Sequence, residues 1–80
     1  MINKKLQQEL RKVGYKGKFD LASLIEACGE DIQKIYRYYE QENGKTKFGG
    51  WGASNDEGET EYGETPEIAV AKLYLKLNKK

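Results

Sequence analysis

The residues of this chain that could do chemistry are one cysteine and a group of carboxylates. Cys28 is the single cysteine, and the sequence contains no histidine. A reactive thiol needs a base beside it, so Cys28 is interpreted as a small buried apolar residue. The carboxylates Asp56, Glu57, Glu59 and Glu61 fall in and beside a predicted turn. A solvated acidic hairpin is the favoured interpretation, with a weak divalent-cation site as the alternative. The sequence therefore predicts no enzyme, no metal site and no other cofactor.

Aromatic side chains offer a different chemistry, which is contact with another molecule. Tyr36, Tyr38 and Trp51 are predicted to share one face of a sheet, and Ile35, Tyr39 and Phe48 to share the other. One face must meet the helices, and the remaining face would expose aromatic side chains with Arg37 or lysines alongside. Exposed aromatic side chains with basic neighbours suit protein contact or stacking with single-stranded nucleic acid. The alternative is that flanking side chains cover them.

The strands that carry these residues are predicted to form a hairpin. Asn43-Gly44 is a strong two-residue turn signal within a segment rich in isoleucine and tyrosine. Folding about this turn pairs Glu42 with Lys45, Tyr39 with Phe48, and Tyr36 with Trp51. Glycines 49, 50 and 52 predict a bulge or a close approach of another backbone. A short third strand is predicted at residues 59–62.

Two helices are predicted before the hairpin. Residues 3–13 place apolar side chains at helical spacing, but the stripe is narrow and leaves open whether this helix docks. Residues 21–28 form the second helix, with Asp20 as its N-cap and Gly29 at its end.

The final segment, GETPEIAVAKLYLKLNKK, predicts a helix that is apolar around most of its circumference. Thr65 is the predicted N-cap and Pro66 the first helical residue. Leu75 belongs to a second apolar face, which we expect the N-terminal helices or a second copy of the chain to cover. Lys72 and Lys76 lie on the remaining polar stripe.

Basic ends flank an acidic middle in this chain. Residues 1–18 carry a net charge of +5, residues 19–67 carry −8, and residues 68–80 carry +4. The ends either neutralise the folded middle or form a phosphate-binding surface. The second alternative would use Lys4, Lys5, Arg11, Lys12, Lys16 and Lys18 together with Lys72, Lys76 and Lys79.

The final segment resembles the ending, roughly G-x-T-P-E-E-A-V-A-x-L-W-L-x-L-N, of many small uncharacterised proteins of phages and prophages. LASLIEACG resembles the helix that precedes the strands in those proteins, and Trp51–Ala53 matches their W-x-A. The resemblance covers about residues 20–80 and carries no assigned activity. Ile68 replaces the usual second Glu, and Tyr74 replaces the usual Trp.

Two weaker resemblances concern the same region. GETPEIA is similar to the start of the last helix in HicB-like antitoxin domains, which cover a partner toxin ribonuclease. The order of helix, three strands and helix is that of double-stranded RNA-binding domains. Those domains grip phosphate with lysines at the start of the last helix, whereas Glu64 and Glu67 stand there in this chain and would repel phosphate.

Together these patterns predict one α+β domain, ordered α-α-β-β-β-α, with the last helix packed on a three-stranded antiparallel sheet. Residues 1–18 supply an amphipathic helix and a basic loop, and residues 20–80 supply the core. No apolar run is long enough to span a membrane, and the lone cysteine fits a cytoplasmic protein. The expected function is that of a phage-type accessory protein that binds another protein or itself, through Tyr36, Tyr38, Trp51, Leu75, Lys72 and Lys76. Binding of nucleic acid is the alternative.

Overall fold

A computed structural model of the chain describes residues 2–78. These residues form an α+β fold in the predicted order, with a three-stranded antiparallel sheet and three α-helices. Lys79, which the sequence analysis placed among the basic residues of the C-terminus, lies outside the described residues. In chain order the elements are α1 (Lys4–Lys12), α2 (Leu21–Cys28), a short 3-10 helix (Gly29–Asp31), β1 (Ile32–Glu42), β2 (Lys45–Asn55), β3 (Thr60–Gly63) and α3 (Pro66–Asn78).

The hairpin between β1 and β2 turns at the predicted residues. Asn43 has a φ of 52° and Gly44 a φ of 77°, the left-handed conformation that a two-residue type I′ turn requires at both positions. Glu42 pairs with Lys45, and Tyr39 pairs with Phe48. The register next to the turn is therefore confirmed.

Farther from the turn, the predicted pairing of Tyr36 with Trp51 is wrong. The register shifts between Tyr38 and Tyr39, so that Tyr36 lies opposite Gly52 and Trp51 lies opposite Arg37. The physical cause is a bulge that leaves Gly49 as an extra residue in β2. Because side chains alternate between the faces of a sheet, this one residue moves Trp51 to the face opposite Tyr36.

α3 packs on one face of the sheet and begins as predicted. The Ile68 backbone N–H donates to Oγ1 of Thr65 at 3.2 Å, so Thr65 caps the helix. On the sheet face towards α3, Ala53 is fully buried and Ile35 packs against the core. Glu61, which pairs with Ala53, forms an ion pair with Lys76 of α3.

The N-terminal helices cover the remaining apolar surface of α3. Leu10 of α1, Leu24 of α2 and Leu73 of α3 are all fully buried in one core. α1 is docked, since Ile2 and Leu6 are buried as well. The narrow apolar stripe of α1 is sufficient for docking because it packs against the broad apolar surface of α3.

Candidate functional site

The outer half of the β1–β2 hairpin projects from the rest of the protein. Every residue from 39 to 48 is exposed. Each strand has 11 residues, which span about 37 Å, whereas the 13 residues of α3 span about 20 Å. The helix is too short to cover the whole hairpin, so the outer half extends into solvent.

One face of the hairpin carries three aromatic side chains and one arginine, at and next to the projecting half, here called the aromatic cluster (Arg37, Tyr39, Phe48 and Trp51). The rings of Tyr39 and Phe48 meet edge to face with centroids 5.7 Å apart, and those of Phe48 and Trp51 with centroids 6.4 Å apart. The Arg37 guanidinium carbon lies 5.2 Å from the Trp51 ring centroid. The exposed fraction is 56% for Tyr39 and 49% for Phe48, so a large aromatic area faces water.

The opposite face of the sheet carries a second set of rings, here called the tyrosine face (Tyr36, Tyr38 and Tyr62). The rings of Tyr38 and Tyr62 meet edge to face with centroids 4.8 Å apart. A side-chain hydrogen bond with Tyr62, followed by burial, raises the pKa of the Tyr36 hydroxyl. Tyr62 therefore links the three side chains, through its ring to Tyr38 and through a hydrogen bond to Tyr36.

The rings of these tyrosines lie over glycines of β2. A Cβ on Gly52 would lie 2.6 Å from the Tyr36 ring, and a Cβ on Gly49 would lie 2.5 Å from the Tyr38 ring. The rings thus occupy the space that side chains would fill, an arrangement in which aromatic residues compensate for glycine in a strand. Tyr36 and Tyr38, which cover these glycines, are half-buried, whereas Tyr62 is exposed.

The sequence-predicted surface of Tyr36, Tyr38 and Trp51 is thus divided between two faces. Tyr36 and Tyr38 belong to the tyrosine face, and Trp51 belongs to the aromatic cluster. Sequence reasoning did not include Tyr39, Phe48 or Tyr62 in the surface. The signal that could have identified the first two is the difference in length between the strands and the last helix.

Leu75 does not contribute to a surface, contrary to its predicted place among the interaction residues. Its exposed fraction is 8%, and it lines the same cleft between α1 and α3 as Leu6. The predicted second apolar face of α3 is therefore covered within a single chain.

Lys72 and Lys76 are exposed on α3, but acidic side chains surround them. The Lys76 Nζ lies 3.4 Å from a carboxylate oxygen of Glu61. Lys72 shares one cleft with Glu9 and Glu61 and another with Glu9 and Glu64. Acidic side chains of α1 and of the sheet region thus lie among the lysines of the C-terminal helix. Their negative charges weaken the positive electrostatic potential of that helix.

The carboxylates near residues 56–61 surround a turn that Asn55 organises. The Asn55 Oδ1 accepts from the backbone N–H of Glu57 at 3.1 Å and from that of Glu59 at 2.9 Å. Within residues 2–78, no group of three or more potential ligand side chains is placed to hold a metal ion. The acidic turn is accordingly explained by its local hydrogen bonds.

Cys28 is placed in the core at the end of α2. Its exposed fraction is 5%, and burial, with a smaller contribution from Asp31, raises its pKa from 9.0 to about 11. The thiol is protonated at neutral pH, so it is a poor nucleophile.

The chain matches no protein family, no curated protein and no solved structure. Among the helices of residues 2–78, none combines the length and the apolar character that crossing a membrane requires.

Proposed function

We propose that this protein is a non-catalytic module that binds another protein through the aromatic cluster of its projecting hairpin. The observation that carries the proposal is the exposure of Tyr39 and Phe48 on the outer half of the hairpin, which extends beyond the part of the sheet that α3 covers. Aromatic side chains and Arg are enriched at the centres of protein interfaces, and the aromatic side chains bury a large area at a small cost in side-chain entropy.

The shape of the cluster indicates the kind of partner. Tyr39, Phe48 and Trp51 offer rings in edge-to-face contact, and Arg37 is already held over Trp51. An ordered group of this kind loses little freedom on binding. The matching surface on the partner is apolar, with an acidic group placed to meet Arg37. The resemblance of residues 20–80 to small phage and prophage proteins supports the role of an accessory protein, which acts in the cytoplasm.

The absence of a reactive group favours binding over catalysis. The sequence has no histidine, and Cys28 is buried with a raised pKa. The carboxylates of Asp56, Glu57 and Glu59 belong to the turn that Asn55 organises, and they line an open cleft beside Lys76 of α3. Binding without a cofactor is consistent with all three observations.

The test compares two substitutions on the same face of β2. Phe48→Asp removes a ring from the cluster, and Thr46→Asp adds the same charge two residues nearer the turn, where the side chain is also exposed. Tagged wild type and both variants are used to capture proteins from a bacterial or phage-infected lysate treated with nuclease. We expect a protein that wild type and Thr46→Asp retain and that Phe48→Asp loses.

Two results would contradict the proposal. One is a captured protein that all three baits retain equally, since the cluster would then play no part. The other is capture that disappears completely when nuclease is added, since nucleic acid would then be the primary ligand.

A further inference from the structure

β1 is an edge strand with an open side. Within residues 2–78 its one neighbour in the sheet is β2, and none of its 11 residues is buried. It also contains no proline, one of the residues that blunt exposed edges. An edge of this length presents a row of backbone N–H and C=O groups that another strand could pair with.

The position of the turn determines which residues of β1 point their backbone N–H and C=O groups away from β2. In a two-residue hairpin the pair that flanks the turn, Glu42 and Lys45, is joined by the turn's own hydrogen bond. Hydrogen-bonded and non-hydrogen-bonded pairs then alternate along the strands. The extra residue Gly49 belongs to β2, so the alternation along β1 continues through it. The residues whose backbone groups point away from β2 are therefore Ile35, Arg37, Tyr39 and Gln41.

The charges of β1 reverse along its length. Lys34 is in its first half, Arg37 is its central residue, and Glu40 and Glu42 are in its second half. A second copy of β1, related by a two-fold axis, runs antiparallel and meets the first in reversed order. Positive residues of one copy then lie near negative residues of the other.

One register satisfies both the hydrogen bonds and the charges. Pairing outward-facing residues with each other about an axis at Tyr38 places Lys34 opposite Glu42 of the second copy. It also places Arg37 opposite Tyr39 of the second copy, where a cation–π contact can form. Moving the axis to Arg37 would set two guanidinium groups directly opposite, which is unfavourable.

We propose that two copies of this chain associate through their β1 edges, antiparallel and centred on Tyr38, into one continuous sheet. The partner is a second copy because, in this register, Lys34 of each strand lies opposite Glu42 of the other, so that the pair forms twice. The association pairs the backbone edge of β1, whereas the protein partner proposed above contacts the rings of the aromatic cluster; the two associations share the side chains of Arg37 and Tyr39. The β1 association would place the two aromatic clusters on the same face of the joined sheet.

The test is a charge exchange between Lys34 and Glu42. These residues are eight positions apart along one extended strand, about 27 Å, so they do not interact within a single chain. Sedimentation equilibrium is run from about 10 μM to about 1 mM, a range that covers weak dimers. We expect wild type to dimerise, and each of Lys34→Glu and Glu42→Lys to weaken the dimer about tenfold, since each sets like charges opposite at two symmetric places.

The double variant Lys34→Glu/Glu42→Lys restores opposite charges between copies, and we expect its dissociation constant to return to within about threefold of wild type. Lys16→Glu, in the exposed loop after α1, is the control and leaves the dimer unchanged. Circular dichroism confirms that each variant is folded. A wild type that stays monomeric across the range overturns the proposal. A monomer is also the result expected if β1 paired with a strand of a different protein. A folded double variant that remains as weak as the single variants overturns it also.

Discussion

The backbone of Gly50 passes so close to Gly63 that a Cβ atom on Gly50 would lie 2.6 Å from the Gly63 carbonyl oxygen. Gly50 also has a φ of 134°, a conformation that side chains other than glycine rarely adopt. It lies directly after the bulge residue Gly49, where β2 meets the last residue of β3. The contact lies beside the pair of Trp51 with Gly63, at the end of the ladder that joins β3 to β2.

Gly50→Ala is expected to destabilise the protein by about 2–4 kcal/mol, because it adds both backbone strain and a collision with the Gly63 carbonyl group. Gly58→Ala is the control. Gly58 also has a positive φ, of 85°, but a Cβ there would meet nothing within 4 Å, so its cost is limited to about 1–2 kcal/mol of strain. Urea unfolding followed by Trp51 fluorescence measures both. Equal losses for the two variants would show that the contact with Gly63 carries no energy.

Leu75→Ala is expected to reduce the free energy of unfolding by about 2–4 kcal/mol, because Leu75 is buried between α1 and α3. Lys72→Ala, on the exposed side of the same helix, should change it by less than about 0.5 kcal/mol. The measurement is thermal and urea unfolding, combined with light scattering. A second variant, Leu75→Lys, separates a core residue from an interface residue. If it converted a stable dimer into an equally stable monomer, Leu75 would be an interface residue and not a core residue.

The Cys28 thiol should resist modification while the protein is folded. Ellman's reagent at pH 8 is expected to react only as fast as the protein unfolds, since the thiol is buried and protonated. Addition of urea above the unfolding midpoint should make the reaction rapid. A fast reaction in native buffer would contradict the burial of Cys28.

The raised thiol pKa also makes a prediction for stability at high pH. The folded pKa is about 11, against an ordinary value of 9.0, so the folded state holds the proton more tightly than the unfolded state. The associated stability is fully present below pH 9 and is lost as the pH rises towards 11. Between these values, wild type should lose about 2 kcal/mol more than Cys28→Ala does. Parallel curves for the two proteins would contradict the prediction.

Oligonucleotides should bind weakly, because Lys72 and Lys76 lie beside Glu9, Glu61 and Glu64. We expect no dissociation constant below about 100 μM at physiological salt, the weak end of the non-specific range. Fluorescence anisotropy at two salt concentrations, with single- and double-stranded DNA and RNA, checks this. Micromolar, salt-sensitive binding that Lys72→Glu/Lys76→Glu abolishes would favour the nucleic-acid-binding alternative.

The amino-acid sequence by itself determined the local features of this fold. The Asn43-Gly44 turn, the Asp20 and Thr65 caps and the order of the elements were all predictable, because each depends on residues close together in the chain. The pairing of Tyr39 with Phe48 was predictable for the same reason, since it lies only a few residues from the turn.

The tertiary structure decided which side chains reach the surface. The bulge residue Gly49 lies against the Tyr38 ring, and the next residue, Gly50, lies against Gly63 of β3; neither Tyr38 nor Gly63 is near the bulge in sequence. The single residue Gly49 moved Trp51 away from Tyr36 and Tyr38 and into the aromatic cluster. Tyr39 and Phe48 are exposed because they lie beyond the part of the sheet that α3 covers. The burial of Leu75 depends on the docking of α1, because a narrow apolar stripe is stabilised only when a complementary surface is present to receive it.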